Sequence, residues 1–287
     1  MKIISILICA VLFFLVSSAQ AAFDLIPRVI YGIDDRQEIY ESNDNLMREI
    51  SLSTAALIKN YNLEQNDGVF SVTAKSLEKT GVCKSERFSK QLTAATCSGF
   101  LIAPDKLVTA GHCVSSNLDC KSHVWVFDYE NRDSEAESYT FNNDQIYHCT
   151  KVIAHKKDEE TLLDYTVLKL DRKVTGRLPL KVRTSGKMSS DALLTVIGHP
   201  SGLPKKITVG AEIRNNNSPN YFILNSDTYS KNSGSPVVDQ RTGIVEGILT
   251  NGDTDYVMTP RGCSISVIRS QDGGSGERAT RITALFN

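Results

Sequence analysis

The amino-acid sequence predicts an all-β protein, and three observations support that prediction. Short apolar or alternating runs rich in Val, Ile, Thr, Tyr and Phe recur between turn residues. Helix-like patterns are confined to "DNLMREI" near the start and "ERATRITALF" at the end. The chain has no internal repeat and no long low-complexity segment. Many short strands joined by turns are typical of a β-sandwich or a β-barrel.

The strand-like runs divide into two groups. Between the groups lies the polar segment Asp171–Lys187, which contains Pro and Gly and is expected to cross between two halves of the fold. The runs are, in chain order, GFLIAP, KLVTAG, HVWVFDY, DYTVLKL, LLTVIGHP, KITVGAEI, YFILNSD, IVEGILTNG and SISVIR.

Composition excludes some classes of partner. The 287 residues are 41% hydrophobic and 23% charged, which is ordinary for a globular protein with a sizeable core. The formal net charge of -1 does not suggest a nucleic-acid partner.

The N-terminus resembles an export signal. Lys2 precedes a long apolar run, and "SSAQAA" follows it with Ala19 and Ala21 in an A-x-A arrangement. We expect residues 1–21 to be a signal peptide, with a membrane anchor as the alternative. No later segment is long and apolar enough to span a bilayer. The expected location is therefore secreted or periplasmic, with no membrane contact after the signal is removed.

The cysteines agree with export. Cys9 lies within the signal, and an even number of cysteines remains, which predicts disulfides in an exported chain. No C-x-x-C pair is present, so a zinc site is not indicated. The six remaining cysteines are Cys83, Cys97, Cys113, Cys120, Cys149 and Cys263.

The segment "CSGFLIAPDKLVTAGHC" carries a candidate catalytic base. It reads as a strand, a Pro-Asp turn, a second strand and a tight turn that holds His112. A disulfide between Cys97 and Cys113 would hold the His112 loop against its sheet. His199, in "GHPSG", has no acid near it in sequence and is interpreted as a loop residue.

Two further segments carry an acid and a nucleophile. Asp164 heads "DYTVLKL", where it is either a turn acid or the acceptor of a histidine Nδ1–H. Ser233, in "NSGSP", is either a surface-turn residue or a nucleophile, which needs an adjacent base and donors for the developing oxyanion. The backbone N–H groups of Lys231 and Ser233 are the candidate donors. The order His, Asp, Ser on separate strand-turn segments is more specific than any one motif.

These segments resemble those of chymotrypsin-fold serine proteases, and more narrowly those of the bacterial glutamyl-endopeptidase (V8-like) branch. "NSGSP" and "VIYGIDDRQ" are the V8-like features, and the similarity covers roughly residues 29–270. The resemblance implies two packed six-stranded antiparallel β-barrels with a short C-terminal helix. The first barrel would span about residues 50–175 and contribute His112 and Asp164; the second would span about residues 188–270 and contribute Ser233.

The resemblance also implies an activity. It is that of a monomeric serine endopeptidase acting on proteins or peptides, with no metal or organic cofactor. A propeptide, residues 22–28, would be cut after Arg28 to free the amine of Val29, so that the protease domain is residues 29–287. Asn232 stands where trypsin-like enzymes carry an aspartate that pairs with the new amine, so their activation switch is not expected.

The disulfide pairing is open beyond Cys97–Cys113. Four cysteines allow three pairings. Cys120 and Cys149 bracket two strand-like runs that we expect to be neighbours, so we prefer this pair, which leaves Cys83 with Cys263.

Two residues depart from the family pattern. Lys231 replaces the usual oxyanion-hole glycine, and a lysine with φ > 0 is strained by about 1–3 kcal/mol. A catalytically inactive secreted homologue that acts as a binding protein is therefore the alternative function. Leu249 replaces the histidine of the glutamate-specific branch.

The predicted substrate pocket comprises Asp227, Thr228 and Leu249. Asp227, six residues before Ser233, occupies the position of the pocket acid of trypsin-like enzymes, which predicts a basic P1 residue. The alternative is that Asp227 hydrogen-bonds within its own loop.

Overall fold

The computed structural model describes residues 30–133, 136 and 138–286. The predicted signal peptide 1–21, the propeptide 22–28 and the cleavage before Val29 lie outside the described residues. In the described part, no helix is long and apolar enough to cross a bilayer.

Strands dominate the described chain, and each of the strand-like runs contains one, which confirms the all-β prediction. The first eleven are β1 Ile30–Tyr31, β2 Arg36–Glu38, β3 Thr54–Lys59, β4 Leu63–Asn66, β5 Val69–Val72, β6 Ala95–Ala103, β7 Lys106–Thr109, β8 His123–Phe127, β9 Thr140–Asn142, β10 Ile146–Lys157 and β11 Asp164–Leu170. The others are β12 Leu194–Gly198, β13 Lys206–Ala211, β14 Ile213–Asn215, β15 Tyr221–Leu224, β16 Pro236–Asp239, β17 Val245–Asn251, β18 Tyr256–Met258, β19 Ser264–Ser266, β20 Ile268–Arg269 and β21 Glu277–Arg281.

Helices are short. The predicted helix at "DNLMREI" is α1, whose first turn is capped by the Asp44 carboxylate. The helices are α1 Asn45–Ser51 and α2 Asn117–Ser122, with 3₁₀ helices at Ile39–Glu41, Asn60–Asn62, Glu78–Thr80, Asn143–Gln145, Pro200–Gly202 and Ile282–Leu285.

The first half of the fold is a closed barrel. Six strands form it in the order β10-β11-β7-β6-β3-β8, and all six pairings are antiparallel. Its interior is filled by large apolar side chains, among them Trp125, Phe127 and Leu101. The predicted first barrel is therefore confirmed.

The second half is an open sheet of eight strands rather than a six-stranded barrel. Its order is β14-β15-β21-β17-β16-β12-β13-β2, and it curves as a half-barrel. Two of its strands, β2 and β21, come from outside the predicted range 188–270. β2 pairs with β13 in antiparallel register and covers what would otherwise be an exposed edge.

The C-terminal helix is shorter than the sequence pattern predicted. Only Ile282–Leu285 is helical, as a 3₁₀ helix, whereas Glu277–Arg281 forms β21 between β15 and β17. Pairing on both edges satisfies the backbone groups of β21 and buries Ala279 completely. This tertiary pairing outweighs the helix propensity of the segment.

A shared apolar layer joins the two halves. Successive residues of a strand point to opposite faces, so Leu101 enters the barrel interior while Phe100 enters the shared layer. In the same way Leu249 lies in the second core and Ile248 in the shared layer. The segment Asp171–Lys187 runs between β11 and β12, as predicted for a crossing between halves.

Candidate active site

A cleft of about 800 Å³ lies where the two halves meet. From the barrel side it is lined by His112 and Asp164, and from the other side by Ser233. The three residues proposed from separate sequence motifs therefore face one space.

Strand register brings His112 to Asp164. β7 and β11 are antiparallel, with Thr109 opposite Thr166. Following this register, the residues just after β7 lie opposite the start of β11. The Nδ1 atom of His112 is 2.7 Å from Oδ2 of Asp164, and the backbone N–H of His112 donates to Oδ1 at 2.9 Å.

The Asp164 carboxylate is held in its charged form. Burial alone would raise its pKa, but the hydrogen bonds and the positive charge of His112 hold the pKa below its usual value. The backbone N–H of Asp164 donates to Oγ1 of Thr280 on β21 at 3.2 Å, which joins the acid to the second sheet.

Backbone contacts place Ser233 beside the histidine loop. The Ser233 carbonyl accepts a hydrogen bond from the N–H of Ser98 at 2.8 Å. Ser98 follows Cys97, which is bonded to Cys113, the residue after His112. Gly234 has φ = 87°, and a Cβ there would collide with the carbonyl oxygen of Ser98. Glycine at this position is what allows the serine loop to approach the barrel.

Lys231 adopts the backbone conformation that a glycine would favour. Its φ is 69°, as expected if the position requires φ > 0. Among the described residues, neither the N–H of Lys231 nor that of Ser233 donates to a protein acceptor. The N–H of the intervening Asn232 is used, donating to the Tyr229 carbonyl at 3.1 Å. Two backbone donors on the residues that line the cleft are thus left available.

A family model now identifies the chain. The model of the trypsin-like peptidase domain matches residues 97–248, more than half of the sequence. The chain belongs to the trypsin-like peptidase family.

One known protein similar to this trypsin-like peptidase is a protease of Bacillus subtilis. The "Extracellular metalloprotease" of Bacillus subtilis (strain 168) is 28% identical over 177 residues, which are 58% of this chain and 54% of that protein. This chain thus spans about half the length of that relative.

Solved structures show the same fold. A Glu endopeptidase in complex with MPD has 17% identity and a TM-score of 0.50, and the match covers 90% of this chain and 95% of that one. The VesB protease of Vibrio cholerae has 15% identity and a TM-score of 0.51, with 86% of this chain and 65% of that one covered.

Within residues 30–286, the described part of the peptidase contains three disulfides, in the pairs that the sequence favoured. Cys97 is bonded to Cys113, Cys120 to Cys149, and Cys83 to Cys263.

The Bacillus relative is named a metalloprotease, but the described residues of this chain do not form a comparable metal site. In the described ranges, possible ligand atoms of Cys97, His112 and Cys113 lie within 4.8 Å of one another. Both of these cysteines are oxidised to a disulfide and offer no thiolate, so the group does not fit a metal site.

The structure corrects the predicted pocket acid. Asp227 is buried and does not line the cleft. Its Oδ1 accepts from the backbone N–H of Tyr31 at 2.7 Å, and its Oδ2 accepts from that of Asp35 at 2.8 Å. The carboxyl therefore holds the N-terminal segment, neither open to substrate nor bonded only within its own loop, and the sequence-based reason for a basic P1 residue is lost.

The cleft also contains acids that the sequence analysis missed. Thr228 and Leu249 line it as predicted, and so do Asp253, Asp255 and Glu277. The sequence pattern predicts a helix for the segment that contains Glu277, and a helix gives no reason to place this residue in the cleft. A strand assignment would have placed it beside β17, which carries Leu249.

His199 lies in a loop, as predicted, and does not line the cleft. It is fully buried and stacks on Tyr129, with ring centroids 5.7 Å apart. Burial, with a smaller effect from the charge of Lys205, lowers its pKa to about 3. A histidine that stays neutral in the core takes no part in the cleft.

Proposed function

We propose that this chain is an exported serine endopeptidase whose catalytic triad is Ser233, His112 and Asp164. The observation that carries the proposal is the 2.7 Å contact between His112 and Asp164 in the cleft that Ser233 also lines. In a triad, the acid fixes the tautomer of the histidine, and the histidine activates the serine.

The proposed reaction has two halves. Ser233 Oγ attacks the carbonyl carbon of the scissile bond while His112 Nε2 takes the hydroxyl proton, and the charged Asp164 stabilises the imidazolium. The backbone N–H groups of Lys231 and Ser233 stabilise the oxyanion. His112 then gives the proton to the leaving amine, and a water molecule, activated in the same way, releases the acyl group from Ser233.

The alternative function is that of an inactive secreted homologue that binds proteins. It rested on Lys231, because a lysine with φ > 0 is strained at the position of the usual oxyanion-hole glycine. The backbone N–H groups of Lys231 and Ser233, which donate to no protein acceptor among the described residues, support the enzyme instead.

Export and branch are parts of the proposal. Disulfides form and persist outside the cytoplasm, and three of them support secretion or a periplasmic location. "NSGSP" supports the V8-like branch, whereas Leu249 argues against glutamate specificity. N-terminal sequencing of the exported protein tests the two cuts, after Ala21 and after Arg28.

Labelling with a fluorophosphonate tests the catalytic assignment. We expect the processed protein to be labelled at Ser233, and Ser233→Ala to abolish both labelling and peptide hydrolysis. The exposed Ser85 provides the matched control, Ser85→Ala, which should be labelled at the wild-type rate. A correctly folded wild-type protein that neither reacts with the probe nor cleaves a peptide library would establish the binding-protein alternative.

A further inference from the structure

Glu277 is one of the residues that line the candidate substrate cleft. It is the first residue of β21. This strand pairs with β17, the strand that carries Leu249. The cleft that Glu277 lines is the one that contains Ser233 and His112. The residue itself is 2% exposed.

Neighbouring groups hold the Glu277 carboxyl in place. Thr228 Oγ1 donates to its Oε2 at 2.5 Å, and the backbone N–H of Asp253 donates to its Oε1 at 3.3 Å. A Cβ at position 252 would collide with Oε2, so Gly252 is what leaves room for the carboxyl.

The surroundings of Glu277 are acidic. Asp253 and Asp255 line the same cleft, and among the described residues Glu277 has no salt-bridge partner. Burial first, and then the charges of Asp255 and Asp253, raise its pKa to about 8. Arg278 also lines the cleft, but the charges that act most strongly on Glu277 are the two acidic ones. A buried carboxyl without a cation is unfavourable when ionised, and an incoming cation would relieve that penalty.

We propose that Glu277, rather than Asp227, recognises the P1 side chain, and that this side chain is the ammonium of lysine or the guanidinium of arginine. The inference rests on the proposed endopeptidase function. Asp253 and Asp255 add attraction at longer range, although Asp253 is partly neutralised by Arg269, whose Nη2 lies 3.2 Å from Oδ2.

Paired peptides that differ only at P1 test the inference. The first pair has arginine or citrulline, which have nearly the same shape but differ in charge. We expect kcat/KM of the wild type to be roughly 10- to 100-fold higher for arginine, the effect of a hydrogen bond to a charged group. Glu277→Gln should lower this ratio toward one. Asp227→Asn is the matched control and should keep the wild-type ratio.

Two additional measurements keep the test decisive. The citrulline rate and fluorophosphonate labelling show whether each variant has an intact active site. If Glu277→Gln does not fold, the wild-type ratio and Gly252→Ala decide, because the added methyl group displaces the carboxyl and should also lower the ratio.

The two proposals fail in different ways. Ser233-dependent cleavage with no preference for arginine over citrulline, or with a ratio unchanged by Glu277→Gln, would overturn the role of Glu277 and leave the endopeptidase intact. Absence of any Ser233-dependent cleavage would overturn both.

Discussion

Asp164 holds His112 through both oxygens of its carboxylate. One oxygen is 2.7 Å from the ring Nδ1, and the other accepts the backbone N–H at 2.9 Å. A single side chain thus sets the orientation of the imidazole and the position of the loop that carries it. The dual contact separates this acid from an ordinary turn aspartate.

Replacing Asp164 tests that role. We expect Asp164→Asn to lower kcat about 10⁴-fold, because an amide favours the wrong histidine tautomer, as it does in the trypsin-type triad. The measurement is hydrolysis of a peptide substrate, with the rate of fluorophosphonate labelling as a second readout. Glu159→Gln, an exposed neutralisation nearby in the chain, should leave kcat unchanged. A loss below tenfold for Asp164→Asn would contradict the assignment.

At position 231 we expect glycine to give a more stable protein than alanine, which is the reverse of the usual order. At a φ of 69° any residue with a Cβ is strained, whereas glycine is not. We therefore expect Lys231→Gly to unfold with a free energy about 1 kcal/mol higher than Lys231→Ala. Urea unfolding of the two variants measures this difference. Equal stability, or a more stable Ala variant, would show that the position is not left-handed in solution.

Asp227 makes the stability of the fold depend on pH. Burial is the main cause, and with the charges of Asp34 and Asp35 it raises the pKa from 3.8 to about 7, against the opposing effect of the two backbone N–H donors. Because the folded-state pKa of Asp227 is raised, its contribution to the unfolding free energy is greatest below about pH 4 and is lost as the pH rises through 7.

The matching variant is Asp227→Asn, which cannot titrate. We expect the unfolding free energy of the wild type to fall relative to that of Asp227→Asn by up to about 4 kcal/mol between pH 4 and 8. Urea unfolding across this range gives the difference, from which other titrating groups cancel. The exposed Asp272→Asn should show no such trend. A difference that grows in the opposite direction would refute the raised pKa.

A comparison of two disulfides distinguishes an effect on stability from an effect on activity. Their sequence separations are 16 for Cys97–Cys113 and 29 for Cys120–Cys149. Replacing either pair by serine should lower the unfolding free energy by about 3 kcal/mol. Only loss of Cys97–Cys113 should also lower kcat/KM at a temperature where both variants are folded, because this bond connects the His112 loop to the strand that contacts Ser233. Equal activity of the two variants would argue against that coupling.

The preference for arginine over citrulline should increase with pH. Glu277 binds a cation in its ionised form, and that form becomes dominant above its pKa of about 8. Below that pH the ratio of kcat/KM values should fall toward one, by at most about tenfold per pH unit, since kcat/KM reports the free enzyme. Any group whose ionisation affects both peptides equally cancels in the ratio.

Other groups near Glu277 leave this expectation unchanged. Asp253 and Asp255 face it from the adjoining loop, Thr228 donates to it, and Tyr31 approaches from β1 with a pKa raised beyond the range of the experiment. Measurements between pH 6 and 9 suffice, and a ratio that does not change over this range would show that Glu277 is not the titrating group.

Local sequence patterns predicted nine strand-like runs that each contain a strand, but they did not predict β3, and they predicted a helix where β21 forms. The alternation of apolar and polar residues and the content of β-branched residues predicted each of these runs, because a strand that is buried on one or both faces has apolar residues at regular positions. The motifs around His112, Asp164 and Ser233 were recognisable because each one combines a reactive residue with the turn chemistry that presents it. The Cys97–Cys113 pair followed from two strands that are adjacent in sequence.

The sequence therefore determined the all-β class, the first barrel through its resemblance to a known family, and the identities of three residues that line the cleft. Only the tertiary structure decided which acid the cleft contains. The bond between Asp227 and Tyr31 joins residues 196 positions apart, and the bond between Thr228 and Glu277 spans 49. Contacts at such separations depend on which strand edges and buried polar groups become neighbours when the chain folds. A local sequence pattern does not contain that information.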